Sequence, residues 1–271
     1  MTADLRAIAT RYVESRILDR EYEKTLLRTA ETCQRFTSVN HYLRHRLETR
    51  SSVTVKNDRN MLLILLRWAY DERLIDEYPR GIAKIKAERQ PTRAWTVEQC
   101  CTVVKGSRAW RGKRFRNGAD KGKFLECWAR LGYATGARYS DLMKLHRKHF
   151  EGDRLYWAQN KTKNPINKVL PPETMAAVRA MLAHSPDGRV LGYACNKRWA
   201  MRLMKELLTQ CGLSGSSKWL RRSAATHVEK KRKGAARLFL GHKTAGLAER
   251  CYIDWGQIDR NCPQPPRLVE Q

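Results

Sequence analysis

The chain has 271 residues, 42% of them apolar, which is enough for one large or two modest domains with cores of their own. Its 54 lysines and arginines outnumber its 27 aspartates and glutamates, and the resulting charge of +27 is typical of a folded protein with a polyanionic partner. The longest apolar run, at 61–66, is too short to cross a bilayer, which argues against an integral membrane protein.

The positive charge is concentrated in the later part of the chain. Residues 1–90 carry 18 basic and 13 acidic side chains, whereas residues 91–271 carry 36 and 14. The eight cysteines form no C-x-x-C pair, and the sequence shows no signal-peptide pattern, so we expect a reduced, cytoplasmic protein. His146 and His149 form an H-x-x-H without Cys, Asp or Glu at ligand spacing, so no metal site is expected.

Four amphipathic helices are predicted at the beginning of the chain. The first has an apolar stripe along residues 5–13, the second spans about 22–36, the third about 39–47, and the fourth runs from about 52 to 75. The dense apolar centre of the fourth helix should be buried on most sides. Together the four helices predict a helical domain at 1–86.

The start of the fourth helix has the sequence SVTVKNDRN, which places small polar and basic groups at a helix N-terminus. Backbone N–H groups and the helix dipole favour phosphate at such a position. We therefore expect Lys56 and Arg59 to contact a phosphate backbone.

Tyr78-Pro79 ends the fourth helix, and the polar segment at 87–95 contains a proline and lacks periodicity. This segment predicts a linker between two domains, the second of which spans 96–252. Thr96 is a candidate N-cap for the first helix of that domain.

A stretch at 105–123 interleaves basic residues with two aromatic residues and four glycines. It predicts a flexible loop at a phosphate backbone, although a merely solvated insertion is the alternative. For Trp110, a position in a satellite core is the alternative. The candidate phosphate-binding residues of this loop are Lys105, Arg108, Arg111, Lys113, Arg114 and Arg116.

The pattern changes period between 147 and 170, where strand formers alternate with the turn signals FEGD and NKTKNP. A small antiparallel sheet is predicted. Helices follow at 172–184, 198–211 and 218–227, and the segment ARLFLGH is expected to turn Leu238 and Leu240 inward.

Four polar residues in these later segments have the types needed to cut a phosphodiester by covalent catalysis. They are Arg138 in ATGARYSDL, Arg221 in RRSAAT, His242 in LGH, and Tyr252. The two arginines can neutralise the non-bridging oxygens, the histidine can donate to them, and the tyrosine can attack phosphorus. Such chemistry requires no metal and no other cofactor.

In this order, the four boxes resemble those of the tyrosine recombinase (phage integrase) family, over nearly the whole chain. The resemblance implies a mainly α fold with a small antiparallel β-sheet, arranged as a two-domain DNA clamp. It implies site-specific recombination of double-stranded DNA by a homo-tetramer, through a 3′-phosphotyrosyl intermediate and a four-way junction. A nucleoid-associated protein of a bacterium, phage or other mobile element is then expected, whose tail at 253–271 either docks on a neighbouring subunit or is disordered.

The resemblance also assigns roles around these four residues. Asp141 is placed to orient the catalytic cluster, and Lys218 is placed to join it. A lysine of the β-hairpin turn is expected to protonate the leaving 5′ oxygen. Counting back from Pro171 favours Lys163, whereas the Lys-Thr pair favours Lys161, and both stay open.

The chain departs from the family pattern at two points. Lys218 stands where most members have His, and Tyr252 follows His242 by ten residues rather than nine. Type IB topoisomerases, which use the same residue set, commonly have Lys at that position. The alternatives are therefore a type IB-like topoisomerase, which reseals the same strand without exchange, and a DNA-binding relative whose catalysis has decayed.

Overall fold

The computed structural model describes residues 4–88, 90–160, 162–242 and 246–258. The chain divides into two compact units, Met1–Gln90 and Pro91–Gln271. The boundary falls inside the segment 87–95 that was predicted to be a linker. Within the described ranges, no helix combines the length and the hydropathy that crossing a bilayer requires.

Within residues 4–88, the first unit has four α-helices at the predicted places. They are α1 (Leu5–Glu14), α2 (Arg20–Gln34), α3 (Val39–Thr49) and α4 (Ser52–Asp71). Each helix begins at an Asp or Ser whose side chain accepts a hydrogen bond from a backbone N–H of the first turn, which fixes where the helix starts. Leucines of all four helices are buried in a common core, and Leu62 and Leu65 of α4 are fully buried.

One carboxylate lies inside this core. Asp58 of α4 is 5% exposed and accepts hydrogen bonds from the Tyr42 hydroxyl and the Arg46 Nε, both at 3.0 Å. Burial, together with the nearby Asp58 charge, raises the pKa of the Tyr42 hydroxyl, so Tyr42 stays a neutral donor. This network joins α3 to α4.

Eight further α-helices lie in the described part of the second unit. They are α5 (Val97–Gly106), α6 (Lys121–Thr135), α7 (Tyr139–Leu142), α8 (Pro172–Leu182), α9 (Lys197–Gln210), α10 (Lys218–Lys231), α11 (Ala235–Leu240) and α12 (Leu247–Cys251). Thr96 caps α5 as predicted, through a reciprocal capping box with Gln99. The central helix is α6, with nine buried residues that include Phe124 and Trp128.

The predicted antiparallel sheet is confirmed. It has three strands in the order β1 (Phe150–Glu151), β2 (Arg154–Ala158) and β3 (Pro165–Val169). Leu155, Trp157 and Ile166 are buried along one face, as the two-residue period of a strand requires. The fold class, mainly α with a small antiparallel sheet, is therefore as expected.

Two local predictions were wrong. Leu238 is 67% exposed, because the short helix α11 buries Ala236 and Leu240, four residues apart, and Leu238 lies on the opposite face. The stretch 105–123 is not a loop throughout: residues 105–110 are helical, with Trp110 8% exposed in the core, and α6 begins at Lys121. The loop is confined to 111–120, where Arg114 and Asp120 form a β-bridge. The alternative for Trp110, a core residue, is the one that the structure shows.

Asp58→Ala should destabilise the first unit by about 3 kcal/mol, because it leaves Arg46 and Tyr42 without their buried acceptor. In the full chain, amide hydrogen exchange of α3 and α4 should then become roughly 100-fold faster. Asp71→Ala, an exposed position of the same helix, is the matched control and should leave exchange unchanged. Equal exchange in the two variants would contradict a structural role for Asp58.

Candidate active site

Arg221 lies at the centre of the site. It stands one turn into α10 and is 5% exposed. Its Nη1 donates to the carbonyl oxygen of Gly136, its Nη2 is 3.0 Å from His242 Nε2, and its guanidinium carbon lies 4.7 Å from the centroid of the Tyr252 ring. Burial, with the charge of Arg138, lowers the pKa of Arg221. One buried cation thus joins segments that are far apart in sequence.

Arg138 is delivered by the bend between α6 and α7. Gly136 ends α6 with φ +62°, and a Cβ on it would meet Phe239 Cε1 at 2.6 Å, so only glycine fits there. Arg138 Nη1 donates to Gln159 Oε1 at 3.1 Å and lies 3.9 Å from Asp141 Oδ2. The structure therefore places Asp141 beside Arg138, one member of the cluster that Asp141 is expected to orient.

His242 follows Gly241, another glycine with positive φ, whose missing Cβ leaves room for Ile166. Because a guanidinium only donates hydrogen bonds, Nε2 must accept from Arg221, and the neutral ring carries its proton on Nδ1. Burial, followed by the charges of Arg221 and Arg138, lowers the pKa of His242 to about 4, against an opposing effect of Glu249. At neutral pH His242 is an uncharged acceptor.

Tyr252 directly follows α12. Its backbone N–H donates to the Ala248 carbonyl at 2.9 Å, and its own carbonyl accepts from the Thr226 hydroxyl at 3.4 Å. Thr226 also accepts from the N–H of Asp254, so the last residue of the RRSAAT box holds the backbone on both sides of Ile253. The ring of Tyr252 lies 5.2 Å from that of His242, centroid to centroid. Residues 243–245, within the segment that is one residue longer than in the family, lie outside the described residues.

A cavity of about 860 Å³ is lined by Arg138, Arg221 and Tyr252, and we call it the Tyr252 cavity; His242 is not among its lining residues. Its basic lining residues are Arg138, Lys197, Lys218, Arg221 and Arg222. No Asp or Glu is among the described residues that line it. An anion of phosphate type is the ligand that such a surface favours.

Of the two candidate hairpin lysines, Lys163 lies among the described residues. Lys163 lies at the β2–β3 turn with φ +55°, is exposed, and lines a second, smaller cavity of about 250 Å³ together with Asp141 and Lys144. It is not among the residues of the Tyr252 cavity. Lys161 lies outside the described residues. The assignment of the catalytic lysine to either position stays a prediction.

Lys168 of β3 is a site residue that sequence reasoning missed. Its Nζ donates to the Phe239 carbonyl at 2.8 Å and lies 3.7 Å from the centroid of the Phe239 ring. Burial, with the nearby charge of Arg221, lowers the pKa of Lys168 to about 8. The signal was available, because a two-residue period puts residue 168 on the buried face with Ile166.

The basic residues predicted to bind phosphate in the stretch 105–123 do not form one patch. Lys105 and Arg108 border a cavity beside α8, whereas Arg114 and Arg116 border one beside the start of α9 that includes Trp199. The other two make internal contacts. Arg111 pairs with Glu126 at 2.6 Å, and Lys113 Nζ lies 4.6 Å from the centroid of the Trp110 ring.

Lys56 and Arg59, the two residues of the first unit that were predicted to contact phosphate, differ in their surroundings. Lys56 is exposed on α4. Arg59 donates to the carbonyl oxygens of Ala83 and Ile82, so part of its hydrogen-bonding capacity holds the segment that follows α4.

The two histidines of the H-x-x-H pair stabilise a short 3₁₀ turn, since His146 Nδ1 and His149 Nδ1 accept hydrogen bonds from backbone N–H groups within it.

No protein-family model matches the sequence, and no curated protein matches it either. Solved structures do match. A lambda integrase dimer bound to a COC′ core site superposes with a TM-score of 0.76 at 16% identity, covering 95% of this chain and 79% of that one. A Tn1549 transposon integrase in complex with circular intermediate DNA gives 0.69 at 11%, covering 92% and 95%.

The XerH site-specific recombinase, bound to a palindromic difH substrate, gives a TM-score of 0.64 at 15% identity, covering 89% of this chain and 87% of that one. These neighbours are tyrosine recombinases. At such identities the similarity shows the fold, and this chain has the tyrosine recombinase fold.

The pKa of His242 provides a test of the site in the absence of DNA. We expect its imidazole to titrate near pH 4 by NMR, and Arg138→Met to raise the midpoint because one of the two nearby cations is removed. Since the folded chain binds this proton more weakly than the unfolded chain does, the contribution of His242 to stability should decline as pH falls from about 6.5 towards 4. His242→Gln identifies the resonance. A midpoint near 6.5 in the unmodified protein would show that the ring is not packed against the arginines.

Proposed function

We propose that this chain is a site-specific DNA recombinase of the integrase type, which cuts and rejoins DNA through a 3′-phosphotyrosyl intermediate. The observation that carries the proposal is the contact of Arg221 with both Tyr252 and His242 at the wall of a cavity lined by cations. The neighbours of similar fold, a lambda integrase and a transposon integrase among them, were solved bound to DNA, which supports the same partner here.

In the proposed reaction, a backbone phosphate enters the Tyr252 cavity and its non-bridging oxygens meet Arg138 and Arg221. The Tyr252 hydroxyl attacks phosphorus and gives up its proton to water, a P–O bond to the tyrosine forms, and the bond to the 5′ oxygen breaks. The leaving oxygen takes a proton, which we assign to a hairpin lysine, Lys163 or Lys161. Because the ester conserves the bond energy, a 5′ hydroxyl of a partner strand can reverse the step without ATP.

His242 changes its role when the phosphate binds. In the free protein Nε2 accepts from Arg221 and the ring is neutral. The negative charge of a phosphate offsets the two arginine charges that lower the pKa of His242, and so favours the doubly protonated ring. The imidazolium can then donate to a non-bridging oxygen as negative charge develops on it.

The duplex needs a path away from the cleaved phosphate, and the start of α9 provides one. Lys197 lines the Tyr252 cavity, and Trp199, two residues later, borders the cavity of Arg114 and Arg116. We therefore assign these two arginines to the DNA backbone, and Lys56 to a separate contact made by the first unit.

Exchange between two duplexes requires four active subunits. A lambda integrase tetramer bound to a Holliday junction has a TM-score of 0.74 to this chain at 15% identity, and it supports a homo-tetramer that passes through a four-way junction. The proposed docking of the tail at 253–271 on a neighbour concerns mainly residues 259–271, which lie outside the described residues.

A topoisomerase is the second candidate, and Lys218 is the observation that favours it. This lysine is exposed at the start of α10 and lines the Tyr252 cavity, at the position where most tyrosine recombinases have His. The two candidates share the cleavage chemistry and differ in whether the strand is passed to a second duplex.

Tyr252→Phe should abolish covalent adduct formation and leave DNA binding nearly unchanged, because the lost oxygen is the nucleophile whereas binding depends on many phosphate contacts. The wild-type chain is incubated with a pool of randomised nicked duplexes, and the strands that stay bound to protein in hot detergent are sequenced. The duplex recovered in this way, called the selected duplex below, then serves to compare the variants. An adduct with Tyr252→Phe would exclude Tyr252 as the nucleophile.

Lys218→Ala should slow cleavage of the selected duplex by roughly 10² to 10⁴, the range for a positioned acid–base group, and Lys218→His should retain much of the rate. Two selected duplexes of different length, incubated with the wild-type chain, should yield four-way junctions and exchanged strands. Relaxation of supercoiled plasmid without exchange would replace the recombinase by the topoisomerase.

A further inference from the structure

The buried side chain of Gln159 connects three parts of the active site. It stands directly after β2, is 2% exposed, and accepts through Oε1 from Arg138 Nη1 at 3.1 Å and from the Thr162 hydroxyl at 2.7 Å. Its Nε2 donates to the Leu240 carbonyl at 2.9 Å. Arg138, the hairpin turn and the backbone leading to His242 therefore meet at one carboxamide.

The orientation of this carboxamide is fixed by its partners. A guanidinium can only donate, so the atom that faces Arg138 must be oxygen. A carbonyl can only accept, so the atom that faces Leu240 must be nitrogen. Glutamate would place an anion against the Leu240 carbonyl, and methionine, which has a similar length, could neither donate to Leu240 nor accept comparably from Arg138.

We infer that Gln159 is a positioning residue, which aims the Arg138 guanidinium into the Tyr252 cavity and couples that aim to the hairpin turn. The inference rests on the proposed function, in which Arg138 neutralises the phosphate. With one N–H held by Gln159, the guanidinium keeps a defined orientation before DNA binds. A shift of the hairpin changes the hydrogen bond of Thr162 to the same Oε1. The orientation of Arg138 therefore depends on the position of the turn that contains Lys163.

The chain offers a matched control on the same hairpin. Asn164 is 8% exposed, and its Nδ2 donates to the Gly241 carbonyl at 2.9 Å, one residue beyond the carbonyl that Gln159 contacts. Among the hydrogen bonds of the described residues, its side chain makes none to Arg138. Asn164→Leu therefore removes a similar hydrogen bond between the hairpin and the loop at Gly241, and it leaves the hydrogen bond of Arg138 to Gln159 in place.

The first measurement needs no catalysis. In the free wild-type protein, the side-chain N–H signals of Arg138, identified by Arg138→Lys, should show hindered rotation of the guanidinium in NMR. Gln159→Met should release that rotation, whereas Asn164→Leu should not. Unchanged Arg138 signals in Gln159→Met would overturn the inference whether or not the protein cuts DNA.

The second measurement is single-turnover cleavage of the selected duplex. Gln159→Met should be roughly 10- to 100-fold slower than wild type, the effect of losing one hydrogen bond to a charged group. On the same duplex with a neutral methylphosphonate at the cleaved position, this deficit should shrink to under about threefold, because little charge remains for Arg138 to neutralise. The deficit of Asn164→Leu should be the same on both duplexes.

Gln159→Glu separates the two contacts of the side chain, because it keeps the acceptor for Arg138 and loses the donor to the Leu240 carbonyl. It should hold Arg138 in the NMR measurement and yet cleave slowly, since its charge competes with the phosphate for the guanidinium. If Gln159→Met showed one deficit on both duplexes, equal to that of Asn164→Leu, Gln159 would only brace the loop and the inference would fail. If Arg138 were released as expected but the wild-type chain formed no adduct in the whole pool, the proposed function would fail while the contact stood.

Discussion

The site depends on the burial of one guanidinium. Taking the charge of Arg221 out of water carries a penalty of several kcal/mol, which only close and well-oriented partners can offset. These partners are the carbonyl of Gly136, the ring nitrogen of His242 and the π face of Tyr252. None of them is a carboxylate, so Arg221 is solvated by dipoles and its positive charge is not cancelled. In the proposed function, that charge is what the cavity offers to a backbone phosphate.

The same requirement explains why the sequence boxes look as they do. Gly136 has to be glycine because Phe239 packs where its Cβ would be, and Phe239 is itself held by the Nζ of Lys168. Small residues after Arg221 let α10 pack closely, and Thr226 at the end of the box fixes the backbone of Tyr252. The residues of these sequence boxes, which lie more than a hundred positions apart, thus come together to surround one buried cation, Arg221.

Much of this could be predicted from the sequence, and the exceptions have a common cause. Helix periods, caps and the hairpin are local patterns, so the helices, the Thr96 cap and the small sheet were found. Trp110 and Leu238 were harder because they depend on which neighbour covers a short element, and that is decided by tertiary packing. Gln159 follows Leu155 and Trp157 on the two-residue period of β2, so its burial had a signal. Its contacts with Arg138 and Leu240 had none, because they depend on the approach of segments distant in sequence. The clustering of Arg138, Arg221, His242 and Tyr252 came from the resemblance to a family, because no local pattern brings them together.

The electrostatics of the free site favour one order of events. Five cations line the Tyr252 cavity without a carboxylate among the described lining residues, and they disfavour one another until an anion enters. Burial, followed by the charges of Arg221 and Arg138, keeps the pKa of His242 low, so the ring is neutral in the free protein. In the proposed reaction, a bound phosphate offsets the charges of the two arginines and favours the protonated ring. On this proposal, charge stabilisation begins only when the DNA backbone occupies the cavity, and in the free protein Tyr252 lies beside a neutral histidine.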